Sequence, residues 1–122
     1  LDTGLAHPHM NRGNALRDKG DLDGAVAAYK RALTLDPKFA PALSGLGGVL
    51  HDKGNNLQAR AFVERFLAIA PATPDMLLLG HNIEVALKDE GAATVFKQRL
   101  QKEFPNSEQT RAVNGAADRN PG

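Results

Sequence analysis

A step of 34 residues constrains this chain more than any other feature. Ala25, Ala59 and Ala93 are separated by it, and so are Pro37, Pro71 and Pro105; Gly13 and Gly47, and Gly20 and Gly54, keep the same step. A repeat of this length suits a helix–turn–helix unit that cannot bury its apolar face alone and stacks on its neighbours to make a continuous core. The clearest copy is residues 13–37, GNALRDKGDLDGAVAAYKRALTLDP. It reads as two short helices joined by a Lys-Gly-Asp turn and stopped by Asp36-Pro37, since proline cannot continue a helix.

The spacing divides the chain into repeats at about 6–39, 40–73 and 74–107, with a cap and tail over 108–122. The whole is expected to be one all-α domain, a right-handed solenoid of three helix–turn–helix repeats with a short C-terminal capping helix. In repeat one, helix A is predicted over about 8–19, with Pro8 tolerated in its first turn and Gly20 supplying a left-handed end. Helix B follows over about 23–35, capped by Asp21 or Asp23, with Ala25, Tyr29, Ala32 and Leu33 on one apolar stripe. In repeat two, Leu43, Leu46, Gly47 and Leu50 face inward from helix A, and Ala59, Phe62, Val63, Phe66 and Leu67 from helix B. Gly47 and Ala59 are small because a short loop forces the two helices together.

Repeat three is less regular. Strict alignment puts Glu84 where Leu16 and Leu50 stand, so a one-residue slip before Gly80 is expected to bring Ile83 into that place. Its turn is read over 88–91, with helix B from about residue 92. Ser107 is expected to cap a last helix over about 108–113. Residues 114–122, NGAADRNPG, lack an apolar pattern and are expected to be disordered.

Several functions are set aside by composition. The 15 Lys and Arg nearly balance the 14 Asp and Glu, which leaves no basic excess for a nucleic-acid partner. There is no Cys, hence no disulfide, thiol nucleophile or zinc–thiolate site in this stretch. No apolar run reaches about 18 residues, so no membrane span is expected. The four histidines, His7, His9, His51 and His81, are spread over three repeats without a third ligand beside any pair, and structural or surface roles are expected for them. Neither a phosphate loop nor a nucleophile motif is present, and no cofactor or metal is expected. The chain opens on Leu1 without a signal-like apolar region, so targeting information is expected outside it.

The repeated letters resemble the tetratricopeptide repeat. Repeat one carries the pattern in Gly13, Leu16, Ala25, Tyr29, Ala32 and Pro37. Repeat two carries it in Gly47, Leu50, Ala59 and Pro71, with Phe66 where Ala is usual, and repeat three keeps Ala93 and Pro105. The helix-A position usually filled by Trp holds His9, Leu43 and Leu77. A narrower resemblance, to the type IV pilus pilotin lipoproteins of the PilF/PilW group, rests on several pieces. They are Gln58-Ala59-Arg60-Ala61, Leu79-Gly80, Ile83, residues 86–89, Ala92-Ala93, and Phe104-Pro105-Asn106-Ser107-Glu108. It implies a non-enzymatic periplasmic scaffold, held at the outer membrane by a lipid outside this chain, that binds a secretin subunit and aids its assembly. The alternatives are an adaptor in a cytosolic complex and a regulatory segment of a larger enzyme.

In such an array the A helices are expected to line a concave groove. Met10, Asn11, Asn14, Arg17 and Asp18 would face it from repeat one, and Ser44, Gly48, His51 and Asp52 from repeat two. Leu78, Asn82 and Val85 would face it from repeat three. A peptide or helix of a protein partner could bond to Asn14, Arg17 and Asn82 and bury apolar groups against Met10 and Leu78. The two-carboxylate clamp of chaperone-binding relatives is not expected, because Met10 and Gly45 stand where its Lys and Asn would be.

Overall fold

The computed structural model describes residues 3–118. A short 3-10 turn, Thr3–Leu5, leads into seven α-helices: α1 (Ala6–Asp18), α2 (Leu22–Leu35), α3 (Ala40–Asp52), α4 (Asn56–Ile69), α5 (Pro74–Ala86), α6 (Glu90–Glu103) and α7 (Glu108–Asp118). The described residues form an all-α helical repeat. They divide into two compact units, Leu1–Pro71 with α1 to α4 and Ala72–Gly122 with α5 to α7.

The backbone keeps the 34-residue step throughout. Helices α1, α3 and α5 begin at residues 6, 40 and 74, and α2, α4 and α6 at 22, 56 and 90. Each A helix ends in the same way. The amide of Gly20 donates to the carbonyl of Arg17 at 2.9 Å and that of Asp21 to Leu16 at 2.9 Å. Gly54 and Asn55 repeat this with His51 and Leu50, and Lys88 and Asp89 with Val85 and Glu84. This paired closure satisfies carbonyls that a helix end leaves free, and it requires a left-handed residue between the helices. Gly20 (φ 84°), Gly54 (φ 82°) and Lys88 (φ 61°) supply it.

The start signals are equally local. Asp21 accepts from the Gly24 amide at 2.9 Å, Thr73 from Met76 at 3.1 Å, Asp89 from Ala92 at 3.0 Å and Ser107 from Thr110 at 3.1 Å. Of the two candidate caps for α2, Asp21 is the one used. Because Asp89 caps α6, that helix starts at Glu90, earlier than the sequence suggested.

Repeat three shows no slip. The Thr73 cap with Pro74 fixes where α5 begins, and Lys88 fixes where it ends, so α5 cannot shift by a residue. Glu84, only 4% exposed, stands at the core position of Leu50, and the fully buried Ile83 stands at that of Val49. What moves is a contact. In repeat one the ring of Tyr29 lies against Gly13; in repeat three the ring of Phe96 lies against Gly80. Both members of the second pair sit one residue earlier than strict equivalence would place them. The pair thus imitates a slip in the letters while the backbone keeps its period.

In the first unit the core holds Ala25, Tyr29, Ala32, Leu33, Leu43, Leu46, Val49, Leu50, Ala59, Val63 and Phe66. In the second, α7 packs on both α5 and α6. The buried Thr110 hydroxyl lies 3.0 Å from the carbonyl oxygen of Leu100 and 2.6 Å from that of Phe104. It therefore donates to the carbonyls at the end of α6. Ser107 caps α7 as expected, but α7 does not stop near Val113. The Asn114 carboxamide accepts from Gln101 Nε2 at 2.7 Å, and the helix runs on to Asp118. The expectation of disorder is overturned for Asn114 and Gly115; residues 119–122 lie outside the described residues.

Lys88 is the one non-glycine residue with positive φ among the described residues. A left-handed side-chain-bearing residue costs about 1–2 kcal/mol, offset in part by the greater chain entropy of glycine. Lys88→Gly is expected to stabilise the protein by up to about 1 kcal/mol. Lys88→Ala is expected to leave stability nearly unchanged. Urea unfolding followed by circular dichroism checks the ranking.

Candidate partner-binding face

The site is built where α1, α2 and α3 meet in the first unit. Tyr29, on α2, is fully buried, and its ring passes between Gly13 on α1 and Gly45 on α3. A Cβ at Gly13 would approach ring atom Cε1 to 2.7 Å, and one at Gly45 would approach it to 2.6 Å. Both positions must therefore be bare for the ring to enter. The Tyr29 hydroxyl donates to Asn14 Oδ1 at 2.5 Å, which satisfies the polar end of a buried ring.

One turn along α1 from Asn14, Arg17 reaches across to α3. Its Nε donates to Asp52 Oδ2 at 2.9 Å, and a terminal nitrogen approaches the same oxygen at 2.8 Å. The guanidinium lies over Gly48, where a Cβ would come within 2.9 Å of it. The structure thus gathers four of the sequence-selected residues, Asn14, Arg17, Gly48 and Asp52, into one network with Tyr29. Arg17 and Asp52 stay partly open, with side chains 36% and 40% exposed. An ion pair this open contributes about 0–1 kcal/mol, so a partner can recruit Arg17 at little cost.

The remaining candidates are placed less tightly. Asn11 and Asp18 are exposed, and Met10 and Ser44 are half-buried on the same two helices. His51 turns toward the start of α4, where its Nδ1 is 2.6 Å from Asn56 Oδ1. In the second unit, Leu78 is half-buried on α5, Asn82 is exposed with its Oδ1 3.2 Å from His81 Nδ1, and Val85 is exposed. Met10, Ser44 and Leu78 are strict repeat equivalents, as are Asn14, Gly48 and Asn82, and Arg17, His51 and Val85.

Sequence reasoning missed two members. Tyr29 was read only as a core residue, and Gly45 only as a departure from a clamp pattern. The signal was present in the equal spacing of Gly13, Tyr29 and Gly45, two glycines flanking an aromatic at 16 residues on either side. Burial raises the Tyr29 phenol above the ordinary tyrosine value of 10.0; nearby Arg17 opposes the shift and Asp18 adds to it. The network holds hydrogen-bonding groups and one guanidinium, groups suited to bonding a peptide backbone or a carboxylate.

The fold defines a class, the all-α helical repeats. Residues 13–54 match the family model of the TPR repeat, and the helical array resembles the tetratricopeptide-repeat interaction scaffolds. Among solved structures it resembles PilW, a widely conserved type IV pilus biogenesis factor. The likeness has 30% identity and a TM-score of 0.81, and it covers 86% of this chain and 48% of that one. It also shares its fold with the first TPR of Spaghetti (RPAP3), solved bound to an HSP90 peptide. That likeness has a TM-score of 0.85 and 16% identity over 97% of each chain. Among curated proteins, mouse (Mus musculus) protein O-mannosyl-transferase TMTC1 is 42% identical over 74 residues, covering 61% of this chain. The chain spans 8% of that protein's length and about half that of PilW. No helix among the described residues is long and apolar enough to cross a membrane.

Two glycines of α3 are predicted to respond oppositely to alanine. Gly45→Ala drives a Cβ into a ring that has no room to move, and is expected to destabilise by about 1–3 kcal/mol. Gly48→Ala meets only the movable end of Arg17 and gains helix propensity, so it is expected to be neutral or stabilising by up to about 1 kcal/mol. Thermal unfolding of both variants checks the contrast.

The chain has a single tyrosine, so its ionisation can be followed at 295 nm without interference. The transition is expected above the ordinary value in the folded protein and at that value in urea. The folded state holds the phenolic proton more tightly. Stability from this group is therefore intact below the ordinary value and falls as pH rises through the folded one.

Proposed function

We propose that this chain is a pilotin-like module of a type IV pilus system, which binds a secretin subunit at the periplasmic side of the outer membrane and aids its assembly. The observation that carries the reading is the likeness to PilW, at 30% identity over 86% of this chain. The pieces around Leu79-Gly80 and Phe104-Pro105-Asn106 support it, because they belong to the irregular third repeat rather than to the general pattern. In this reading the partner segment lies along α1 and α3, bonding to Asn14 and Arg17 and covering Met10. In the second unit, the face of α5 with Leu78, Asn82 and Val85 is a contact face of its own.

A second reading, a non-catalytic repeat segment of a larger enzyme, is favoured by the 42% identity to the mouse transferase over 74 residues. Capture from a detergent extract of bacterial envelope separates the two. The pilotin reading expects a secretin subunit to be retained, with retention weakened about tenfold or more by Arg17→Glu and helix content unchanged. Retention of no secretin by the wild-type chain overturns it.

A further inference from the structure

We infer that the chain carries a second docking site, a small cleft between the α2–α3 junction and the last turns of α4. It takes a segment of a protein partner that presents a carboxylate beside an aliphatic side chain. Its walls all belong to the first unit, and none of the α1–α3 network contributes to them. The cleft has a volume of about 300 Å³ and is lined by Pro37, Lys38, Leu43, Arg65, Ala68 and Ile69. Leu43 is 1% exposed, whereas Ile69 is 43% exposed, an aliphatic side chain left open to solvent. Covering it with another aliphatic group removes apolar surface from water.

The rim is basic and held in place. Arg65 Nη2 donates to the Pro37 carbonyl at 3.2 Å, and the guanidinium lies over the Phe62 ring, 5.2 Å from its centroid. Two anchors thus fix a group that stays exposed, so it meets a ligand with little ordering left to lose. Lys38, next to Pro37, brings an exposed ammonium to the same end. Among the described residues neither cation has a carboxylate partner. Asp36 accepts from the Lys38 amide at 3.1 Å, and neither it nor Glu64 lines the cleft. Repeat three shows what an arginine at this position takes. Arg31, Arg65 and Arg99 are strict repeat equivalents. Arg99 Nε donates to Glu103 Oε2 at 2.8 Å, and this bond holds the Glu103 carboxyl below its ordinary value. The equivalent of Glu103 in repeat two is Ile69. Repeat two therefore keeps the guanidinium, replaces the internal carboxylate by an exposed aliphatic side chain, and leaves the charge to be met from outside. Charge complementarity calls for a carboxylate, and Ile69 for an aliphatic neighbour beside it. Leu43, Ala68 and Ile69 cover a single aliphatic group and would leave most of a long acyl chain in water.

The test is an NMR titration of the chain with a short peptide, acetylated and amidated, that has one glutamate between two leucines. A matched peptide has glutamine in place of the glutamate. The glutamate peptide is expected to shift amides within residues 38–43 and 65–69, to bind more weakly as salt is raised, and to lose about tenfold or more in affinity with Lys38→Gln/Arg65→Gln. Because Arg65 also braces the α2–α3 junction, a second variant leaves it intact. Ile69→Glu, at an exposed position, installs the repeat-three pairing and is expected to cost about tenfold or more in affinity with helix content unchanged. Arg17→Glu, which strikes the α1–α3 network, is expected to leave this affinity unchanged, so failure here and failure of the proposed function are separable. Equal binding of the glutamine peptide, unaltered affinity in Ile69→Glu, shifts confined to other residues, or no binding at millimolar peptide overturns the inference. So does tighter binding of octanoate than of the glutamate peptide, which would make the occupant a lipid.

Discussion

The first unit depends on one aromatic ring held between two bare backbones. Tyr29 belongs to α2, but the surfaces that enclose it are Gly13 of α1 and Gly45 of α3. Side chains cannot be enlarged at either position without moving the ring, because interiors packed at crystal-like density leave it nowhere to go. The ring therefore sets how closely α1 and α3 approach, and its hydroxyl fixes the rotamer of Asn14. The Arg17–Asp52 bridge lies a turn further along the same pair of helices, where the guanidinium crosses over Gly48. The polar network is thus a by-product of a packing contact: the core decides the separation, and the polar groups fill the surface above it.

The second unit solves the same problem with other letters. Phe96 meets Gly80 as Tyr29 meets Gly13, without a hydroxyl and one residue earlier on both helices. The core position at 84 then receives a carboxylate-bearing side chain in place of leucine. The unit closes with α7, whose Thr110 hydroxyl meets the last carbonyls of α6 while Val113 packs inward. One element thus supplies both a cap for the preceding helix and a cover for its apolar side.

Most of this fold was legible because its determinants are local. Turn glycines, capping aspartates and prolines act within a few residues of where they stand, so their positions translate directly into helix boundaries. Lys88 was missed as a left-handed residue because composition marks such sites by glycine, and Gly91 drew the turn two residues too far. Glu84 was misjudged because a charged residue in a core position argues for a different register unless the backbone constraints on either side are weighed first. The extension of α7 was hidden because Asn114 and Gly115 read as breakers, while the bond that holds Asn114 comes from Gln101, on another helix. For the site, periodicity was enough to pick out Asn14, Arg17, Gly48 and Asp52. It could not say that they converge, since convergence depends on Tyr29, whose partners are 16 residues away on either side.

The unbroken backbone step has a consequence for how such a chain tolerates change over generations. Substitutions at one position, even leucine to glutamate in the core, are absorbed while every helix keeps its start. Gain or loss of one residue within a helix would instead turn everything after it by about 100° about the axis, presenting a different stripe to the next hairpin. This architecture therefore constrains the length of each helix more tightly than the identity of its residues.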